Sequence, residues 1–175
     1  MSIQITYKKS SINKNLSNQI FFVDEKFNIL NLKKHILTSE YSFIYDLIKT
    51  KDLKKEILDF QINSKKKIIL VSLKKNHNNS DLENLGAKFF DIFKNSKTKV
   101  FNINANLNLN KFKNIIGYFL HGLKLKSYVF DKYKTKKKTN KINIIVTGKK
   151  IPTKEDQIKF NSIEEGTFYA RDLVS

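Results

Sequence analysis

The sequence predicts an α/β domain: a three-layer arrangement with a mixed, mainly parallel sheet and helices on both faces. Residues 68–73 (IILVSL) and 142–146 (INIIV) are short, nearly continuous runs rich in β-branched residues. Strands covered on both faces have this composition. Between such runs lie segments with helical spacing, of which Leu82, Leu85, Phe89 and Phe93 form the clearest stripe. Strand alternating with helix defines the class. Crossovers between parallel strands are expected to be right-handed.

In chain order, Ile3, Ile5 and Tyr7 alternate as a first strand, and residues 8–15 form a mostly polar connector. Residues 19–23 (QIFFV) read as a second strand, and Asp24 and Glu25 turn the chain. Ile29, Leu30 and Leu32 have no clear period. Thr38 or Ser39 is the expected cap of a helix with Tyr41, Ile44, Leu47 and Ile48 on its apolar side. Ile57, Phe60 and Ile62 lead to a lysine turn at 65–67, followed by the buried run at 68–73. Ser80 or Asp81 is expected to cap the next helix, which ends near Lys94 and Asn95 with Ile92 at the edge of its stripe. Val100, Phe101 and Ile103 make a strand. Asn108 or Asn110 should cap a helix carrying Phe112, Ile115, Ile116, Phe119, Leu120 and Leu123, interrupted by Gly122. Tyr128, Phe130 and Tyr133 then read as a strand or sheet edge ahead of a lysine cluster. After the run at 142–146, Gly148 stops the strand. Pro152 sits where a first helical turn tolerates it. A last helix from about Thr153 carries Ile158, Ile163 and Phe168.

Bulk composition bounds the function. A chain of 175 residues reads as one domain, or one with a small appendage. At that size roughly 70% of the unfolded surface can be buried. The absence of cysteine excludes disulfides and thiolate metal sites and fits a reducing compartment. No apolar run reaches the ~18 residues of a membrane span. The start, MSIQITYKKS, lacks the basic-then-apolar order of a signal peptide. A cytoplasmic protein is expected.

The formal net charge is +18. Such a charge fits a nucleic-acid or anionic-membrane footprint. It also fits a codon bias toward Lys, Asn and Ile. Arg171 is the single arginine, although arginine's fork is the preferred reader of phosphates and bases.

Among candidate chemical groups, His35, His77 and His121 have no partner at metal-ligand spacing, and each reads as structural. Asp24–Glu25 and Glu164–Glu165 are adjacent pairs whose members point apart on a helix, so both read as solvated charge. The five glycines form no phosphate-cradling loop. Lys134, Lys136, Lys137 and Lys138 are the densest basic patch, with Tyr128 and Tyr133 near enough in sequence to stack on bases. The other reading of that patch is a solvated loop, as for the lysines at 65–67 and 149–150. Arg171 beside Asp172 reads as an ion-pairing or anchoring site.

Two segments carry a family resemblance. Gly122, Leu123, Leu125, Tyr128, Phe130, Asp131, Tyr133, Lys134, Lys137 and Lys138 follow the order Gly-Leu-x-Leu-x-x-Tyr-x-Phe-Asp-x-Tyr-Lys-x-x-Lys-Lys. The second segment, Gly166, Ala170, Arg171, Asp172, Leu173, Val174 and Ser175, contains the order Gly-x-x-x-Ala-Arg-Asp-Leu-Val. The first resembles the end of the N-terminal domain of the leucyl (cytosol) aminopeptidase family, and the second resembles the helix that leads from it to the catalytic domain. The resemblance implies a macro-domain-like fold over residues 1–150 and a linker helix over 151–175, with Arg171 and Asp172 as an interdomain anchor. The intact family releases N-terminal amino acids from peptides, using two divalent metals (Zn or Mn) to activate a water. It does so as a hexamer with the N-terminal domains outside the catalytic core. The metal ligands and the catalytic lysine and arginine belong to the C-terminal domain, which this sequence does not contain. The implied role is non-catalytic, in assembly or regulation. Some bacterial members of the family also bind DNA, so a Lys-rich nucleic-acid-binding module is the alternative. The few glycines argue against ADP-ribose, the ligand a macro-like fold suggests.

Overall fold

The computed structural model describes residues 2–10, 13–15, 17–106, 114–129 and 141–174. Among these, the strands are β1 (Ser2–Lys8), β2 (Asn18–Asp24), β3 (Ile57–Gln61), β4 (Lys67–Leu73), β5 (Val100–Asn104) and β6 (Lys141–Thr147). They form one sheet in the order β1-β6-β5-β2-β4-β3. Every pairing is parallel except β3 with β4. The helices are α1 (Thr38–Ile48), α2 (Asn79–Phe93), α3 (Ile115–Ser127) and α4 (Lys154–Leu173), with a 3₁₀ turn at Leu30–Lys34. The mixed, mostly parallel sheet with helices on both faces is the class expected from the sequence.

The two central strands explain the layering. In β2, Ile20 and Phe22 face one side while Phe21 and Val23 face the other, and all are buried. β4 divides likewise, with Ile69, Val71 and Leu73 opposed to Ile68 and Leu70. The 3₁₀ turn and α1 cover the second face through Leu32, Ile36, Tyr41 and Ile44. Helices α2 and α3 cover the first through a phenylalanine cluster. There Phe119 meets Phe22 edge-on at 5.2 Å and Phe89 at 5.6 Å, and Phe89 meets Phe101 at 5.3 Å. Edge-to-face geometry of this kind adds to the energy of burial.

Glycine sets the spacing of α2 and α3. A Cβ on Gly86 would lie 1.9 Å from the Phe119 carbonyl oxygen, and one on Gly122 would lie 1.9 Å from the Glu83 carbonyl oxygen. Each helix therefore presents a bare backbone to the other. Gly122 is inside α3 and does not interrupt it as expected. Its place is dictated by contact with a neighbour, a constraint that local propensity does not contain.

Several element ends also differ from expectation. The cap of α2 is Asn78, not Ser80 or Asp81: its Oδ1 accepts from the Asp81 N–H at 3.0 Å while Asp81 accepts from the Asn78 N–H at 2.9 Å. The reciprocal pair satisfies two end donors together. At α1 the Glu40 carboxylate accepts from the Leu37 N–H at 3.1 Å, and neither Thr38 nor Ser39 is the cap. Helix α3 begins after Asn114, which takes a left-handed conformation at φ 56°. Asn108, Asn110 and Phe112 lie outside the described residues. Tyr128 joins no strand and stands at the C-terminal end of α3. Pro152 precedes Thr153, the N-cap of α4, so it lies just outside the helix. Ile158 and Ile163 are exposed, and the buried positions of α4 are Phe160 and Glu164.

The lysine turn before β4 is only partly solvated. Lys66 is 6% exposed; its ammonium pairs with buried Glu40 at 2.5 Å and donates to the Lys14 carbonyl at 2.6 Å. The pair couples α1 to the head of β4, and each member also bonds backbone, Lys66 to the Lys14 carbonyl and Glu40 to the Leu37 N–H, as suits a buried charge.

The glycine contact predicts a sharp contrast among alanine substitutions. Gly86→Ala and Gly122→Ala should each cost about 1–3 kcal/mol in chemical denaturation, because overpacking forces the helices apart. Gly166→Ala, where nothing lies within 4 Å, should instead stabilise by about 0.5–1 kcal/mol.

Candidate functional site

The seam between α3 and α4 gathers the polar and aromatic side chains that the core does not use. Phe160, Glu164, Phe168 and Arg171 recur at helical spacing and so share one face of α4. Contact occurs at three levels. At the first, the Phe160 ring meets Tyr118 edge-on at 5.1 Å and lies tilted against His121 at 5.1 Å. Gly117 admits it: a Cβ there would lie 2.6 Å from the Phe160 ring.

At the second level Glu164 is 3% exposed. Its Oε1 lies 2.9 Å from His121 Nδ1, and its Oε2 accepts from Lys124 Nζ at 2.6 Å. His121 and Lys124 are three residues apart on α3 and thus neighbours on its surface. Glu164 is therefore not the solvated charge expected from sequence. Its signal was the apolar stripe in whose middle it stands, with Phe160 four residues before and Phe168 four after. His121, which reads as structural in the sequence, is buried against this carboxylate.

At the third level Phe168 stacks on Tyr128 at 5.3 Å, and the Arg171 guanidinium lies 5.4 Å from the same ring. Arg171 Nη1 donates to the Leu125 carbonyl at 2.9 Å, and the Tyr128 hydroxyl donates to Asp172 Oδ1 at 2.6 Å. Leu125 lies in the last turn of α3, where carbonyls lack helical partners and a cation is favoured. The two segments singled out in the sequence thus meet: Leu125 and Tyr128 come from the first, Arg171 and Asp172 from the second. Lys134, Lys136, Lys137 and Lys138 lie outside the described residues.

Beside the seam, an open cleft of about 690 Å³ runs between β1, α3 and α4, lined by Ile3, Ile5, Tyr7, His121, Lys154 and Ile158 among others. Burial, and then the charge of Glu164, push the Tyr7 hydroxyl up to about 12. It stays protonated near neutrality.

A second cluster lies at the other end of the sheet. Glu56 pairs with Lys88 and, at 3.2 Å, with Lys74, and His77 Nε2 stands 3.8 Å away. The Lys88 hydrogen bond chiefly, helped by Lys74, holds the Glu56 carboxyl below its usual 4.5. His35 is held below its usual range by burial, with Lys14 and Lys34 adding to the effect. Among the described residues no group of three or more His, Cys, Asp or Glu could hold a metal ion. The buried carboxylates Glu40 and Glu164 are already neutralised by lysines. No described helix is long and apolar enough to cross a membrane.

Fold and seam together define an α/β scaffold with a helix laid along one flank. No protein-family model matches the chain, and no curated protein matches it in sequence. Among solved structures it is similar to a mutant tomato leucine aminopeptidase, with a TM-score of 0.70 and 16% identity over 99% of this chain and 38% of that one. It is also similar to the bottromycin maturation enzyme BotP in complex with Mn, with a TM-score of 0.59 and 12% identity over 91% of this chain and 32% of that one. At these identities the likeness is one of fold. The chain spans about a third of the length of either protein.

The seam and the Glu56 network generate separate predictions. Glu164→Ala leaves His121 and Lys124 without their acceptor and should cost about 1–3 kcal/mol. In hydrogen exchange the loss of protection should be confined to α4 and the end of α3. Glu56 has a lowered folded pKa, so its contribution is fully present above its unfolded value and is lost as pH falls through the folded one. Glu56→Gln should therefore lower Tm at neutral pH and flatten its fall below about pH 4.5, as a pH series of thermal melts would show.

Proposed function

We propose that this chain is a non-catalytic N-terminal domain of a leucyl aminopeptidase-like protein, with a role in assembly or regulation. The meeting of Tyr128 with Arg171 and Asp172 carries the reading. The two segments that resemble the aminopeptidase family are far apart in sequence and touch in the fold. The fold's likeness to part of a leucine aminopeptidase supports it. In this reading residues 151–175 pass the chain toward a catalytic domain, and Arg171 and Asp172 fix the direction in which the helix leaves. The two divalent metals, the peptide substrate and any hexamer contacts centred on the active site belong to that other domain. The residues described here hold and orient.

The charge of +18 supports a second reading, a Lys-rich nucleic-acid-binding module. The two readings separate in one set of assays. The purified chain, given Mn²⁺ or Zn²⁺ and a leucine amide reporter, should show no metal-dependent turnover, and turnover abolished by a chelator would overturn the first reading. Labelled duplex DNA should bind only weakly, without sequence preference, and with an affinity that collapses between low and physiological salt. Tight, sequence-selective binding at physiological salt would favour the second reading.

A further inference from the structure

The sheet has two edges, and they are built differently. At the β3 edge the strand is five residues long, and Asp59, in its middle, pairs with Lys67 at 2.9 Å. Lysines precede and follow it at Lys54, Lys55 and Lys65. Short length and charge are the usual means by which a monomer prevents strand addition. At the β1 edge the strand is seven residues long, with no proline and with its lysine only at the last position. It pairs with β6 on one side and with no strand on the other among the described residues. Gln4, Thr6 and Lys8 are exposed, and Ile3, Ile5 and Tyr7 are half-buried.

The cleft of about 690 Å³ lies along this same strand. Its floor continues the apolar row of Ile3 and Ile5, and its far wall is the first turns of α4, where Ile158 is 67% exposed. A strand added to β1 would drop every second side chain into that cleft. Its other side chains would lie beside Gln4, Thr6 and Lys8. Backbone pairing with pockets for alternate side chains is the physical basis of strand-addition recognition.

Charge decides the occupant. Lys8, Lys9, Lys141 and Lys154 surround the strand, and none has an acidic partner among the described residues. Lys141 sits opposite Ser2 at one end of the β1–β6 pair, and Lys8 closes the other end. A second copy of the chain would set Lys8, Lys9 and Lys141 against the same lysines of its partner, on molecules that each carry +18 overall, so self-pairing is disfavoured. We propose that β1 and the adjoining cleft take up an extended peptide segment of a partner protein, with apolar residues at alternate positions and acidic residues between them.

The full chain should be titrated with a fluorescein-labelled octapeptide of alternating Val and Glu, followed by amide shifts in ¹⁵N-labelled protein. Saturable binding is expected, with shifts confined to β1 and the start of α4. An alternating Val and Lys peptide, and a Val/Glu peptide of the same composition arranged in pairs, should each bind at least tenfold more weakly. Ile158→Asp and Lys154→Glu, both at surface positions, should weaken the Val/Glu peptide at least tenfold while leaving Tm unchanged. The proposal is overturned by an absence of saturable binding at millimolar peptide, by equal affinity for the three peptides, or by shifts located elsewhere. Concentration-dependent dimerisation lost on Ile158→Asp would also overturn it, by placing a second copy at the edge.

Discussion

The close approach of α2 and α3 through Gly86 and Gly122 is the constraint on which the rest of the molecule depends. With backbones in contact, Phe89 and Phe119 reach each other and the β2 and β5 rings beneath them. A single interior methyl would lift α3 from this layer. Since α3 carries Gly117, His121, Lys124 and Tyr128 on its outer flank, its height above the sheet also sets where α4 can lie. Core packing and helix docking are thus one geometric problem, solved by leaving side chains out.

The seam that holds α4 has a different character from the core. Its helix face is narrow, and Phe160 and Glu164 are its only buried residues among those described. Direction comes from partners with fixed geometry: a carboxylate with two donors, a guanidinium on a carbonyl, a phenol on a carboxylate. Such contacts yield little net free energy each, but they discriminate between rotations of the helix in a way that apolar surface does not.

What could be read from the sequence follows from how local each signal is. The run at 68–73 and the stripe of Leu82, Leu85, Phe89 and Phe93 identify their elements because periodicity within a few residues is enough. Arg171 and Asp172 stand out because arginine is otherwise absent, and in the fold both lie against Tyr128. Glu164 and Lys66 read as solvated in the sequence because their partners, His121 and Glu40, lie 43 and 26 residues away. The place of Gly122 is hidden for the same reason: the carbonyl that excludes its side chain belongs to another helix. Tyr128 reads as a strand residue among its aromatic neighbours in sequence, whereas it stands at the C-terminal end of α3 with its hydroxyl on Asp172.

The staggered arrangement of the α3–α4 contacts also has a mechanical meaning. Phe160, Glu164, Phe168 and Arg171 grip α3 at successive heights along nearly the whole length of the helix. Tension applied along the helix axis loads all of these grips together, as in a lap joint under shear. Tension applied at right angles to the last turn loads only the Arg171 and Asp172 grip, then the next, as in peeling tape. Whatever pulls on residue 174 therefore meets high resistance from one direction and low resistance from the other, and the difference is set by the orientation of the helix alone.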